Sequence, residues 1–214
     1  MALICGIDEA GRGPLIGPMV ISGVVLEEKD GIKLKGLGVK DSKLVLQPKR
    51  VKLEKEIMRI AKSYKVIVVP AKEIDDALES ADMNLNKLEA VKTAMIINAL
   101  KPSAAIVDCP SNNIEAYEAY LRIFLKDKNI KLIVEHKADL NHIESAAASI
   151  LAKVRREEEI SNLKKKFGDF GSGYPSDPKT KEFLKKNYNK CPEIFRKSWS
   201  TFQKVVGQKT LKDF

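Results

Sequence analysis

Three short apolar runs, far apart in the chain, each lead into a carboxylate, and no other feature constrains the fold as tightly. Leu3 to Ile7 runs into Asp8-Glu9, Ala104 to Val107 into Asp108, and Leu132-Ile133-Val134 through Glu135-His136-Lys137-Ala138 to Asp139. Runs of this length and composition read as buried strands. Pro18 to Leu26 reads as a second strand, antiparallel to the first across a Gly- and Pro-rich loop. Gly31 to Val39 reads as a third, with glycine breaks, and Lys65 to Val69 as another, halted by Pro70. Helical spacing begins near Leu46, with Pro48 in the first turn, and recurs over 71–78, 85–100 and 114–125. A long helix is expected from Asn141 toward Lys165. A glycine- and proline-rich loop follows over 168–178, then short helices over 179–188 and 195–206, and a polar tail. Strands followed by helix–strand alternation imply an α/β fold, a mixed sheet with helices on both faces plus a small C-terminal helical cap.

In such sheets the strand C-termini form the functional rim. Asp8, Glu9, Asp108 and Asp139 are expected there, and convergent carboxylates repel unless a cation neutralises them. Hard oxygen donors suit Mg²⁺, and two such ions about 3.5–4 Å apart suit phosphodiester chemistry. Successive strand residues face opposite sides, so Asp8 and Glu9 share a site only if the chain twists or bulges at Glu9. Gly11-Arg12-Gly13 offers backbone amides and a guanidinium to a phosphate or sugar edge. His136 and His142 lie near Asp139, but water activated by a metal needs no histidine base.

The balance of 38 basic to 29 acidic residues, a net charge of +9, favours a polyanionic partner. Three cysteines, Cys5, Cys109 and Cys191, have an odd count and no paired short spacing. That argues against structural zinc and a disulfide framework, and fits a reducing cytosol. No apolar run approaches the roughly 18 residues of a membrane helix. The first residues lack the basic region and cleavage site of a signal peptide, so a cytoplasmic protein without a membrane partner is expected. Nothing demands more than a monomer.

Assembled in order, the motifs are Gly6-Ile7-Asp8-Glu9-Ala10-Gly11-Arg12-Gly13-Pro14, Asp41-Ser42-Lys43, Val107-Asp108, Lys137-Ala138-Asp139, Ser145 to Ile150 with Ala152-Lys153, and Gly171 to Pro178. On these the chain resembles the type 2 ribonucleases H, and most closely the archaeal form of ribonuclease HII. The resemblance covers Gly6 to about Trp199. It implies a ribonuclease H-like fold. Because the last 45 or so residues carry helices but no strand, the expected division is a catalytic domain over 1–167, a helical cap over 168–206 and a tail over 207–214. The resemblance implies an endonuclease, dependent on Mg²⁺ or Mn²⁺, that cuts the RNA strand of RNA–DNA hybrids. Cleavage 5′ of ribonucleotides embedded in duplex DNA is also implied, leaving 3′-hydroxyl and 5′-phosphate ends. Asp8, Glu9, Asp108 and Asp139 match the family's metal-binding acids, and Gly11, Arg12 and Gly13 its reader of the sugar 2′-hydroxyl. Tyr174 matches the tyrosine that stacks on the next deoxyribose. Lys43 and Lys153, with Ser42, Lys137 and Ser149, are candidate phosphate contacts, and Trp199 is most simply an anchor for the cap.

The tail, Gln208-Lys209-Thr210-Leu211-Lys212-Asp213-Phe214, looks like the peptide that docks on DNA sliding clamps. One helical turn would bring Leu211 and Phe214 to one face, beside Gln208. Two other readings fit parts of the pattern. One is a different nuclease or strand-transfer enzyme of the same fold that lacks the Gly-Arg-Gly reader. The other is a non-catalytic nucleic-acid-binding module acting through basic charge, which needs no set of four acids.

Overall fold

The computed structural model describes residues 2–39 and 45–210, with the side chains of 208–210 left aside. The strands are β1 (Ile4–Ala10), β2 (Met19–Leu26), β3 (Ser63–Val69), β4 (Ala104–Asp108) and β5 (Lys131–Glu135). The helices are α1 (Glu28–Gly36), α2 (Gln47–Ile60), α3 (Ala71–Leu78), α4 (Leu85–Leu100), α5 (Ile114–Phe124), α6 (Ala138–Asn141), α7 (Ile143–Phe167), α8 (Pro178–Asn187) and α9 (Ser200–Thr210). The sheet order is β3-β2-β1-β4-β5. β1 is antiparallel to β2 and parallel to β4, and β4 is parallel to β5. This is the expected mixed α/β sheet. No helix among the described residues is long and apolar enough to cross a membrane.

The chain packs as two compact units, one from 1–10, 20–67 and 86–155, the other from 11–19, 68–85 and 156–214. Each therefore draws on three separate stretches rather than following chain order, and residues 156–167 belong with the later helices. The first unit has a core of Val24, Leu26, Leu34, Leu53, Ile57 and the small-residue face of α7 around Ala146–Ala148. In the second, Leu15, Ile16, Phe170, Leu184, Phe195 and Phe202 form a separate core. Burial pushes the Cys5 thiol up to about 12, which suits a small buried hydrophobe rather than a nucleophile.

Four local expectations are corrected. Gly31 to Val39 is not a strand: α1 occupies most of it. The Ile-Lys-Leu-Lys alternation imitates a strand, but Gly31 and Leu34 are buried while Ile32 is exposed, a three-residue spacing. Glu27 and Asp30 close a capping box that starts the helix. β1 does not stop at Ile7 either, because Ser22, Ile21 and Val20 continue the ladder opposite Asp8, Glu9 and Ala10. The register is unbroken, so there is no bulge at Glu9.

Asp139 lies beyond the strand, in the short helix α6, entered through Lys137 at φ 59°. Finally, residues 195–199 are not helical, whereas α9 continues through 207–210. The amides of this stretch are engaged elsewhere: Arg196 N–H donates to the Leu15 carbonyl, and the N–H groups of Lys197 and Ser198 donate to Asp75.

Candidate functional site

In the first unit, the register alone brings two acids together. Ile7 pairs with Val107 in the parallel ladder of β1 and β4. One step further, Asp8 and Asp108 stand at the same level on adjacent strands, which lie about 4.8 Å apart, with side chains on the same face. Asp139 arrives by a different route. The Asp108 carboxylate accepts the N–H of Ala138 at 3.0 Å, which pins the first residue of α6, and Asp139 follows. Asp139 is buried, as is Asp8 at 6% exposure.

Helix α7 closes on the sheet because Gly6 has no side chain. A Cβ there would lie 2.0 Å from the Glu144 carbonyl carbon and 2.1 Å from the Ser145 nitrogen. With the helix start seated on Gly6, Ser149, one turn past Ser145, hydrogen-bonds to Asp8 two residues along the strand. Lys153 is half-buried and a further turn along the same helix face.

Burial pushes Asp8 up to about 7, and the charges of Asp108 and Asp139 push the same way. The Ser149 hydroxyl and the Glu9 N–H, 2.7 Å from Asp8 Oδ1, hold it down in part. Three carboxylates sharing one field in a buried setting are costly as anions, and a hard cation relieves that cost. Among the described residues, no three acid, histidine or cysteine side chains already close on one point as a metal cage. Mg²⁺ does not need one, since it keeps several waters and takes one or two carboxylates together with substrate oxygens. An all-oxygen donor set at a strand rim therefore fits such an ion.

Glu9 is placed differently from expectation. With the ladder unbroken it faces away from Asp8. Its charge is felt by Cys109 and Tyr117, and Cys109 also feels Asp108. Asp8 thus groups with Asp108 and Asp139, while Glu9 lies on the Cys109 side of β1. The histidines serve structure here: His136 Nδ1 is 3.0 Å from the Cys109 carbonyl, and His142 is 3.2 Å from Glu135.

In the second unit, Gly11 adopts φ 81°, and a Cβ there would meet Arg156 Nε at 2.1 Å. A Cβ on Gly13 would lie 3.7 Å from the Tyr174 ring, so this glycine and that tyrosine are neighbours. The Arg156 guanidinium lies 5.8 Å from the centre of the Tyr174 ring, whose residue is 43% exposed. Arg12 is half-buried. The loop carrying Tyr174 is stiffened by Asp177, which accepts the N–H groups of Ser172 and Lys179, and by Thr180, which accepts from Gly173. The Gly173 carbonyl in turn accepts from Leu15 and Ile16.

Lys43 and its neighbours Asp41 and Ser42 lie outside the described residues, as do Leu211 and Phe214. Gln208 falls within α9. Sequence reasoning passed over Arg156 and Arg196. Neither sits in a motif that marks it among the 38 basic residues, and only the fold brings them to the glycine loop.

A family model described as Ribonuclease HII matches residues 5–202. The ribonuclease HII of Pyrococcus furiosus is 45% identical over 207 residues, covering 94% of this chain and 90% of that protein. Among solved structures, the ribonuclease H2 from Pyrococcus horikoshii OT3 superposes with a TM-score of 0.88 at 41% identity, covering 96% of this chain and 98% of that one. The structure of the PCNA:RNase HII complex from Archaeoglobus fulgidus gives 0.82 at 42% identity, covering 99% and 100%.

Proposed function

Because this chain belongs to the ribonuclease HII family and is a nuclease of the hydrolase class, we propose that it cuts the RNA strand of RNA–DNA hybrids and cleaves 5′ of ribonucleotides embedded in duplex DNA. The observation that carries this reading is the shared field of Asp8, Asp108 and Asp139 at the parallel-strand rim. Asp8, Asp108 and Asp139 would hold Mg²⁺ or Mn²⁺, and the longer Glu9 side chain, starting from the other face of β1, would reach the ions past the end of β4, where its charge and that of Asp108 both act on Cys109. When bound, such ions supply the positive charge that activates a water and steadies the departing 3′ oxygen. Asp8 feels the charges of both Asp108 and Asp139, so it is the acid whose anion most needs the cation. Ser149 orients its carboxylate, and Asp108 also fixes α6. Breaking the P–O3′ bond leaves the 3′-hydroxyl and 5′-phosphate ends.

Selecting RNA requires a test for the 2′-hydroxyl, the group that separates ribose from deoxyribose. Gly11, Arg12 and Gly13 are suited to it, since side-chain-free backbone can approach a sugar closely. Tyr174 offers a ring face to the adjoining deoxyribose, which a hydroxyl would crowd. Lys153 and Lys43 would contact phosphates.

Cleavage of three duplexes tests the reading: RNA–DNA, DNA with one ribonucleotide, and all-DNA, each with and without Mg²⁺. Metal-dependent cutting of the first two and none of the third is expected. Cutting of the all-DNA duplex would favour another nuclease of this fold, and binding without cleavage a non-catalytic module.

The relative in complex with PCNA supports a second part of the proposal, that Gln208, Leu211 and Phe214 dock on a sliding clamp. Clamp affinity should fall at least tenfold when the chain ends at Gly207, and equal affinity would remove the idea.

A further inference from the structure

The carbonyl side of the glycine loop is held by one short stretch near the end of the second unit. Arg196, 0% exposed, donates from Nη2 to the Gly11 carbonyl at 2.6 Å, from Nη1 to that of Arg12 at 2.7 Å and from Nε to that of Gly17 at 3.1 Å. Trp199 Nε1 donates to the Gly13 carbonyl at 3.1 Å, and the Arg196 guanidinium lies 4.8 Å from the Trp199 ring centre. The stretch is anchored in turn. Asp75 of α3 accepts the N–H of Lys197 at 2.8 Å, the N–H of Ser198 at 3.0 Å and the Ser198 hydroxyl at 2.6 Å. A fully buried guanidinium is tolerated only when its rigid fork of donors is met. Here three of its five N–H donors are met by backbone oxygens of a single loop.

The consequence follows from peptide geometry. In a trans peptide the carbonyl and the next residue's N–H point in opposite directions, and the described chain has no cis bonds. With the carbonyls of Gly11 and Arg12 turned toward Arg196, the N–H groups of Arg12 and Gly13 are turned away from it. The third carbonyl, that of Gly13, precedes Pro14, which has no N–H. Two successive amide donors are thereby presented on the side opposite the clamp.

We propose that Arg196, aided by Trp199, is a positioning residue that sets selectivity for the 2′-hydroxyl by fixing the direction of these two amides. The inference rests on the reading of residues 11–13 as the ribose sensor. It does not touch substrate itself; it acts through the loop backbone.

The test is fluorescence anisotropy in EDTA, where nothing is cut, on a duplex with one ribonucleotide and the same duplex in all-DNA form. The wild type, Arg196→Lys and Trp199→Phe are compared by the ratio of the two affinities, alongside melting temperature and Mn²⁺ affinity. Losing the single Trp199 hydrogen bond should lower the ratio roughly three- to tenfold, and Arg196→Lys should lower it further, with Mn²⁺ affinity unchanged. A merely structural role would weaken binding to both duplexes alike and leave the ratio where it was, which overturns the proposal. If Arg196→Lys does not fold, Trp199→Phe decides by the same ratio. A wild type that binds both duplexes equally brings down the ribose-sensor reading, and this inference with it. A wild type that discriminates beside folded variants that discriminate equally well brings down the inference alone.

Discussion

Replacing Asp8 with Asn is expected to raise the melting temperature of the metal-free protein at pH 8 while abolishing cleavage. The buried Asp8 carboxyl sits at about 7 in the folded protein against an ordinary 3.8, so the folded form holds its proton more tightly than the unfolded chain. Between those two values the unfolded chain has released the proton and the folded one has not. The stability Asp8 contributes is therefore complete below about pH 4, declines as pH rises, and is gone above about pH 7. A displacement of this size corresponds to a few kcal/mol, or about 10 °C in a protein of this length. Asn can still accept the Glu9 and Ser149 hydrogen bonds through its carbonyl oxygen, so the substitution removes mainly the charge. Thermal melts of the metal-free proteins from pH 5 to 8 should show a decline in the wild type that is absent in Asp8→Asn. Mn²⁺ should restore the wild type more at pH 8 than at pH 5. Parallel curves for the two proteins would mean that Asp8 is not held at the cost of its own ionisation.

Asp108→Asn should reduce cleavage of an RNA–DNA duplex by about a thousandfold or more, the several kcal/mol a charge-stabilised transition state commands, with duplex binding little changed. The reasoning depends on Asp108 having two roles. Its Oδ1 accepts the Ala138 N–H and so positions α6 and Asp139, and its charge joins the field at Asp8. Asn preserves the first role and deletes the second. Asp108→Ala deletes both, so it should also cost roughly 1–3 kcal/mol of stability, that of a hydrogen bond to a charged group and an orphaned amide, seen as a lower melting temperature. Full activity in Asp108→Asn would refute the assignment of this acid.

Most of the helices and all of the sheet strands could be read directly from residue order. Apolar periodicity is local, and it reports on which positions face a core whichever core that is. It misled at Gly31 to Val39, where alternation extends over too few residues to separate a strand from a helix opened by a capping box. Asp8, Glu9, Asp108 and Asp139 were likewise visible as acids after apolar runs.

What residue order alone determined, then, is the set of elements, the acids at the ends of three apolar runs, and the small residues that allow close packing. Tertiary structure decided which of those acids meet. Asp8 and Asp108 come level because β1 and β4 pair in register, Asp139 joins through a helix tied to Asp108, and Glu9 turns to the opposite face because β2 continues the ladder past it. It also recruited Arg196, almost two hundred residues from the loop it holds, since a buried guanidinium must find its acceptors wherever the folded backbone supplies them. Pairing and burial depend on residues distant in the chain, and no local pattern encodes them.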